Sequence, residues 1–329
     1  MSQSLGQSTA LVTGAAGCIG SALTKRLTRA GWQVLALVRD PAQAQHLTRL
    51  PGVELIAGDI NAPDAWRQAL YGCDVVFHLA ARVHAPAGTP ADEFTRVNVE
   101  GTCQVFEHAV AQGVTKFVLF STAAVYAESD AVLDENSPAH PVTPYGASKL
   151  AAENLVLQGG NSARIKTTVL RLPVVYGPRD RGNVAQLIAA IRQGRYVIVG
   201  DGGNQKSMVA VDNVADAALH VTESNRAAGQ IYLVRDERMY TQREIAETIA
   251  DLLGRGKRFP RVPYGVLALA GHSADVVSRL TGRKLPLSAD RVRKLANNTR
   301  YSADKIAREL GFKPRIGLRE GLAQVISQL

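Results

Sequence analysis

Tyr145 and Lys149 stand four residues apart in the segment TPYGASK, and side chains of these two types can move a proton together. Positions four apart on a helix lie on one face, so the Lys149 amine would stand beside the Tyr145 hydroxyl. A phenol with a pKa near ~10 transfers protons poorly at neutral pH, and a neighbouring ammonium lowers that pKa. The pair therefore predicts a general acid or base that interconverts a carbonyl and an alcohol.

Spacing alone does not make such a pair. Tyr301 and Lys305 repeat the spacing, but no Ser or Thr at a strand end precedes them, and we interpret this second pair as structural. The first pair follows the segment FSTAAVY, which ends a predicted strand. Because ligands of α/β proteins bind at the carboxyl ends of strands, this segment supplies a hydroxyl for the same substrate oxygen.

A glycine loop near the start of the chain predicts a dinucleotide site. It lies between an apolar strand at residues 9–13 and a predicted helix at residues 18–30. Glycines there let the chain turn sharply and let the backbone approach a pyrophosphate, which faces the helix N-terminus. The residues predicted to contact the dinucleotide in this loop are Gly14, Gly17, Cys18, Ile19 and Gly20.

The end of the second strand bears on the type of cofactor. An acidic residue there would bind both ribose hydroxyls and repel a 2′-phosphate. In this chain Val38 occupies that position, and Arg39 and Asp40 follow. An apolar residue followed by arginine favours NADP(H), while NAD(H) stays open. The alternative is that Arg39 is a solvated surface residue and that Asp40 caps the next helix.

The elements that must hold these residues alternate between strands and helices. Short apolar runs predict strands buried on both faces, as in a parallel sheet, at residues 9–13, 34–38, 53–57, 75–79, 117–121 and 165–172. Helices are predicted at residues 18–30, 41–50, 63–70, about 90–112 and 145–157. Thr143 would cap the last helix, with Pro144 at its first position. The order predicts an α/β fold with a Rossmann-type doubly wound parallel sheet.

After Pro173 the pattern loosens into short strands and several helices, which predicts a smaller C-terminal substrate-binding lobe. We expect a dinucleotide-binding domain over residues 1–173, to which residues 205–235 return. The lobe would comprise residues 174–204 and 236–329. The apolar stretch 262–270 is predicted to be a helix that packs against the body of the protein.

Composition narrows the function classes. The 329 residues are 46% hydrophobic and 20% charged, as in a globular protein with a sizeable core. The net charge of +9 suits an anionic substrate, but no Lys/Arg run interleaved with aromatics predicts nucleic-acid binding. No signal-peptide pattern and no run of about 18 apolar residues is present. Cys18, Cys73 and Cys103 have no paired spacing, so we predict a cytoplasmic protein with reduced thiols, no membrane insertion and no metal.

With these residues in place, the chain resembles the extended short-chain dehydrogenases/reductases, in the NAD-dependent epimerase/dehydratase group that processes nucleotide sugars. The resemblance covers nearly the whole chain. Besides the glycine loop and the tyrosine–lysine pair, it rests on HLAA at 78–81, NVxGT at 98–102, LRLPxxYGP at 170–178, GDG at 200–202 and VDNVA at 211–215.

The resemblance implies further site residues. Thr122 would be the hydroxyl partner of Tyr145, and Asn98 would help to order the active site, unless it is simply solvated on its helix. The residues implied around the dinucleotide are Asp59 and Ile60 at the adenine, Leu79, Ala80 and Ala81 along the cofactor, and Pro173 at the nicotinamide end. Asp59 has the alternative of capping a helix.

Departures from the family pattern are informative. Dehydratases of this group carry an acidic pair directly after the hydroxyl residue, and here Ala123 and Ala124 stand there, which argues against elimination. Lys206 occupies the place of an arginine that holds the sugar-nucleotide diphosphate; a lysine pairs with phosphate without the planar fork. Asn183 resembles a substrate-loop asparagine. Supplementary phosphate contacts, or plain surface charges, are Arg179, Arg181 and Arg283.

The preferred function is a UDP-sugar 4-keto reductase of surface-polysaccharide biosynthesis, with Tyr145 as general acid; the ARVH run at 81–84 resembles such reductases. The alternative is a UDP-sugar 4-epimerase with tightly bound NAD. Further alternatives are a small-molecule ketone reductase and a non-catalytic nicotinamide-sensing regulator. The partners we expect are a nucleotide-diphosphate sugar and a second copy of the chain in a homodimer.

Overall fold

The computed structural model describes residues 7–83, 89–180, 182–281 and 288–329. Its centre is a seven-stranded parallel sheet in the order β11-β6-β5-β4-β1-β2-β3. These strands are β1 (Thr9–Thr13), β2 (Gln33–Val38), β3 (Val53–Ala57), β4 (Val75–His78), β5 (Lys116–Thr122), β6 (Lys166–Leu172) and β11 (Gln230–Leu233). The strand order reverses at β1, where the glycine loop begins. The predicted Rossmann-type sheet is confirmed.

Helices cover both faces of this sheet. They include α1 (Cys18–Arg29), α2 (Ala91–Thr95), α3 (Gly101–Ala111), α4 (Pro144–Ser162) and α6 (Val211–Glu223). One apolar cluster joins α1 and α6 to the sheet, and a second joins α3 and α4 to the other face. The predicted helix at 90–112 is interrupted by a π-helical turn, Arg96–Glu100, between α2 and α3.

Two predicted helices are wrong. Residues 41–50 and 63–70 form only short 3-10 turns, at Pro41–Ala44, Pro63–Ala65 and Arg67–Leu70. In the first segment the backbone bonds reach back three residues, from Leu47 N to Ala44 O and from Leu50 N to Leu47 O. This tighter winding buries both Ala44 and Leu47 against the sheet. The β-α alternation is therefore less regular than the sequence predicts.

The C-terminal part of the chain builds a separate apolar cluster with small two-stranded sheets. The strands are β7 (Val174–Tyr176), β8 (Ile198–Val199), β9 (Gln205–Lys206), β10 (Met208–Ala210), β12 (Tyr240–Thr241) and β13 (Arg261–Val262). The helices are α5 (Asn183–Arg192), α7 (Gln242–Leu252), α8 (Tyr264–Thr281), α9 (Ala289–Ala296), α10 (Asp304–Leu310) and α11 (Leu318–Ile326). Within the returning segment, α6 packs on α1 and β11 pairs with β6, whereas β10 pairs with β7 outside the main sheet.

Among the described helices, none combines the length and apolar character needed to cross a membrane. The three cysteines are free thiols. Within the described ranges, no group of three or more His, Cys, Asp or Glu side chains is arranged to hold a metal ion.

Candidate active site

The glycine loop forms a close backbone cradle at the start of α1. Gly14 has a φ of +67°, and a Cβ there would lie 2.9 Å from the Ala80 nitrogen, so only glycine fits without strain. Gly17 precedes α1 and gives the helix no side-chain cap. The N–H groups of the first turn are therefore left to a ligand, and the cradle fits the pyrophosphate of a dinucleotide.

Cys18, at the first position of α1, packs against the loop after β7. Its thiol donates to the Pro178 carbonyl oxygen at 3.2 Å, and burial raises the thiol pKa to about 12. A thiol with such a pKa stays protonated, so Cys18 contributes packing rather than reactivity. Its contact joins the glycine loop to the chain that enters the C-terminal lobe.

At the end of β2, Asp40 and Arg39 have different roles in the structure. Asp40 accepts a hydrogen bond from Ala42 N at 3.0 Å and so caps the turn after it, as the alternative interpretation expected. Arg39 is exposed beside it. Arg179, which has a left-handed φ of 66°, approaches the same edge and donates to the Gln43 carbonyl oxygen at 3.5 Å. Two arginines therefore stand near the strand end where a 2′-phosphate would bind.

The residues directly after β3 make local hydrogen bonds and packing contacts. Asp59 is exposed and accepts from Asn61 N at 2.9 Å, and its carbonyl oxygen accepts from Trp66 Nε1. Ile60 is buried, and a Cβ on Gly101 would lie 2.8 Å from its Cγ1. The glycine of the NVxGT motif thus gives room for Ile60.

A buried histidine organises the strand ends behind the cofactor cradle. Thr13 Oγ1 accepts from the N–H groups of Leu79 and Ala80, both at 3.1 Å, so its own proton goes to His78 Nδ1 at 2.9 Å. The other ring nitrogen, Nε2, then carries the hydrogen and donates to Thr102 Oγ1 at 3.0 Å. Burial, together with the nearby Lys149 charge, lowers the His78 pKa to about 3, so the ring is neutral. Ala81 follows these residues and is partly buried.

The chemistry-bearing side chains meet where β5 ends and α4 begins. Thr143 caps α4 by accepting from Gly146 N at 3.0 Å. A Cβ at Gly146 would overlap the Ala124 carbonyl oxygen, so this glycine lets the helix approach the turn after β5. The approach places the Tyr145 phenol beside the Thr122 side chain, whose Oγ1 accepts from Ala124 N at 3.1 Å. Of the two aliphatic hydroxyls in FSTAAVY, that of Ser121 points elsewhere, to a buried carboxylate.

The pKa values of the pair differ in direction. Burial raises the Tyr145 pKa to about 12, opposed by the hydrogen bond from Thr122. Lys149 is 2% exposed, and burial lowers its pKa to about 8, opposed by the negative charge of Glu153. The lowering of the phenol pKa is not seen in the protein alone, because burial outweighs the other effects. Tyr145 is held protonated, as a proton donor requires.

A buried ion pair that was not predicted from the sequence lies one helical turn beyond Lys149. Glu153 lies on the same face of α4 and accepts from Arg171 of β6 at 2.7 Å, with a second contact from Nε at 3.1 Å. It also accepts from Ser121, the neighbour of Thr122 on β5. One carboxylate thus ties α4 to the two strands that frame the site. The sequence did contain a signal for Glu153, because this residue continues the four-residue spacing of Tyr145 and Lys149.

Asn98 lies in the π-helical turn and is fully buried, so it is not solvated. Its side-chain amide accepts from Arg82 N at 2.7 Å and donates to Arg82 O at 3.1 Å and to Ser148 Oγ at 2.9 Å. Ser148 in turn donates to the Tyr145 carbonyl oxygen at 2.8 Å. Asn98 therefore connects the segment after β4 to the helix that carries the tyrosine.

The predicted substrate contacts are more dispersed. Lys206 Nζ donates to the Lys294 carbonyl oxygen at 2.8 Å and also to the Asn297 carbonyl oxygen. Both bonds hold the lysine amine at the end of α9. A diphosphate contact by Lys206 would compete with these bonds. Asn183 is exposed at the first position of α5, and Pro173 is partly buried directly after β6. Arg181 and Arg283 lie outside the described residues.

Fold and site together are those of a nicotinamide-dependent enzyme. The chain belongs to the NAD dependent epimerase/dehydratase family, whose model matches residues 10–234. It is 31% identical to the N-acetyl-alpha-D-glucosaminyl-diphospho-ditrans,octacis-undecaprenol 4-epimerase of Escherichia coli O157:H7, over 82% of this chain and 81% of that protein. It is 32% identical to the 4-hydroxy-2-methyl-3-oxo-4-farnesyl-3,4-dihydroquinoline-1-oxide ketoreductase of Stigmatella aurantiaca, over 94% and 93%. The solved structure of MoeE5 in complex with UDP-glucose and NAD is 30% identical, with a TM-score of 0.75 over 97% of this chain and 98% of that one.

Proposed function

We propose that this enzyme reduces the 4-keto group of a UDP-sugar, with NADPH as the hydride donor. The observation that carries the proposal is the Tyr145 phenol, which lies beside the Thr122 hydroxyl and is followed one helical turn later by the buried Lys149. Thr122 and Tyr145 hold the carbonyl oxygen, and Tyr145 gives it a proton. The cofactor supplies hydride to the carbonyl carbon when bound.

Two alanines support redox chemistry without elimination. Ala123 and Ala124 form the 3-10 turn directly after Thr122, and neither can remove or give a proton. A substrate held by Thr122 and Tyr145 therefore meets no second acid and base at this turn. The site favours carbonyl reduction or epimerisation over dehydration.

Charges near the adenosine end support NADP(H). Arg39 is exposed at the end of β2, and Arg179 reaches the same edge from the loop after β7. The positive charge of Arg179 also contributes to lowering the His46 pKa, after burial. Neither arginine has to leave a buried ion pair to meet a 2′-phosphate.

The second candidate is a 4-epimerase that keeps its nicotinamide cofactor bound. The 4-epimerase among the relatives favours it, as do the NAD complexes among the similar structures. The Thr122, Tyr145 and Lys149 arrangement would serve as well, with Tyr145 acting first as base and then as acid. By this analogy a sugar attached to a polyprenyl diphosphate is a second substrate class.

Denaturing the purified enzyme and identifying the released cofactor separates the two candidates. An empty protein that binds NADPH and oxidises it with a UDP-4-keto sugar supports the reductase. Stoichiometric NAD, with interconversion of a UDP-sugar and its 4-epimer, contradicts it and supports the epimerase. Arg39→Ala should weaken NADPH binding about ten-fold and leave NADH binding unchanged.

Calorimetry tests the substrate class. We propose that residues 174–204 and 236–329 hold the sugar nucleotide, so UDP should bind with measurable heat. The absence of heat with UDP and other nucleoside diphosphates would favour a small-molecule ketone reductase. If Tyr145→Phe changed the turnover of no substrate, that result would favour the non-catalytic nicotinamide-sensing regulator. The homodimer and the cytoplasmic location stay predictions.

A further inference from the structure

The outer face of α8 carries apolar side chains where a surface helix normally carries polar ones. Val266, Leu269 and Val277 are 59%, 71% and 45% exposed. Their spacing puts them on one face of the helix. Ser273 lies on that face too, but its hydroxyl donates to the Leu269 carbonyl oxygen at 3.0 Å. The face therefore offers water little to bind.

The inner side of the same helix contains the polar contact. Asp275 accepts from Ala289 N, at the start of α9, at 3.0 Å. Gly271 lies one turn earlier, and a Cβ there would be 2.8 Å from the same nitrogen. The inner side also includes the partly buried Leu267, Ala268 and Ala274, so α8 carries apolar side chains both towards the protein and on its exposed face. The exposed apolar face indicates a surface that is covered in use.

The charges that lead into α8 indicate what covers it. Arg255, Arg258 and Arg261 are exposed in the segment that runs into the helix, and Tyr264, at its first position, is 48% exposed. An apolar helix face with arginines at one end fits an anionic lipid surface, where the apolar side chains enter the acyl boundary and the arginines meet phosphates.

We propose that the outer face of α8, with Arg258 and Arg261, docks the enzyme on an anionic membrane surface. The helix would lie in the plane of the surface, along about 27 Å at 1.5 Å per residue. A second copy of the chain is the less suitable occupant, because it would cover the apolar face without supplying an anionic partner for the exposed arginines that lead into the helix. The proposal does not depend on whether the reaction is reduction or epimerisation.

Vesicle co-sedimentation tests the proposal with the full-length protein. The probes are phosphatidylcholine vesicles with and without about one-third phosphatidylglycerol. We expect binding to the anionic vesicles, weakened by high salt and about five-fold by each removed arginine charge. Leu269→Glu should abolish most of the binding. Tyr71→Glu is the matched control, since Tyr71 is 84% exposed in a turn of the sheet domain.

Activity on a UDP-sugar and thermal unfolding verify that each variant is folded, because Leu269 contributes little to the core. The proposal is overturned if the wild-type protein ignores anionic vesicles, or if it binds neutral vesicles equally well. It is also overturned if Leu269→Glu and Tyr71→Glu behave alike. A Leu269→Glu variant that dissociates a dimer while keeping its vesicle binding would assign the face to a second copy instead.

Discussion

Two segments carry tyrosine, lysine and glutamate at intervals of four residues, at positions 145–153 and 301–309. In the first, all three side chains lie on one helix, α4, beside the end of β5. In the second, the tyrosine precedes the helix, because α10 begins only at Asp304. The same spacing therefore puts three side chains beside one strand end in the first region. In the second region the three side chains make separate packing contacts.

The partners of the second set are structural. The Tyr301 ring stacks on Tyr126 with centroids 5.9 Å apart. Lys305 Nζ donates to Gln230 Oε1 at 2.8 Å and to the Ile231 carbonyl oxygen at 3.1 Å. This agrees with the structural interpretation of the pair. Burial raises the pKa of both Tyr301 and Tyr145 to about 12, so the pKa does not separate the two tyrosines. What distinguishes them is the Thr122 hydroxyl, which lies beside Tyr145.

The largest expected effect is from removing each phenolic oxygen. Tyr145→Phe should lower kcat for carbonyl reduction by about 10³-fold, because the proton donor is lost. Tyr301→Phe removes a hydroxyl from a ring that contributes by stacking, so kcat should stay near that of the wild type. Steady-state assays of the two purified variants make the comparison. Equal losses would contradict the assignment of the active tyrosine.

Exchanging each lysine for methionine should separate activity from stability. Lys149→Met should lower kcat about 10²-fold without lowering the unfolding midpoint, since burial already disfavours its charge. Lys305→Met should keep activity but lose two hydrogen bonds and the contact with the Tyr232 ring, at a cost of about 1–2 kcal/mol. Denaturant unfolding alongside kinetics measures both; the reverse pattern would exchange the roles of the two regions.

The glutamates give a smaller effect on catalysis. Glu153→Gln keeps an acceptor for Ser121 but removes the charge that faces Arg171 and Lys149, so we expect kcat to fall about ten-fold with KM unchanged. Breaking the buried pair should also cost about 3–5 kcal/mol of stability. Glu309→Gln is the control, because among the described residues Glu309 accepts a side-chain hydrogen bond from Tyr232, at 2.9 Å, and faces no buried arginine. If both variants kept full kcat, Glu153 would be a purely structural residue.

The smallest effect concerns pH. Lys149 has a pKa near 8, so activity that needs its ammonium should be constant below that value and fall as pH rises through it. Glu153 raises the Lys149 pKa, so Glu153→Gln should move this decline to lower pH. The other groups at Lys149 do not titrate in this range, since His78 is neutral and Arg171 stays charged. A pH–rate profile identical in both proteins would contradict the electrostatic contact.

Several elements were readable from local chemistry. β1 and β3 have the predicted bounds, and β2, β4, β5 and β6 differ by one residue at an end or at both, because continuous apolar runs between glycine and polar signals are a strong strand pattern. The connections after β2 and β3 were misread as helices. Their proline starts and apolar spacing suit a helix as well as a chain of 3-10 turns, and burial against the sheet decides between the two.

The site was readable in part. The glycine loop and the tyrosine–lysine spacing are local features, and the structure brings both to the carboxyl ends of the strands. Arg171 and Glu153 escaped notice because they meet only when β6 and α4 pack together. The Lys206 amine illustrates the opposite case: its sequence position suggested phosphate, but α9, 88 residues further along the chain, supplies carbonyl oxygens that bind it.

By itself the sequence determined the class of fold, and it predicted the cofactor cradle and the proton donor, since these follow from backbone freedom and from spacings within one turn of helix. Only the tertiary structure decided which carboxylate supports the lysine and which contacts the second tyrosine–lysine pair makes. It also decided that the outer face of α8 is apolar. Those outcomes depend on which distant segments pack together and exclude water. The strength of an electrostatic interaction or a hydrogen bond depends on that burial far more than on local spacing.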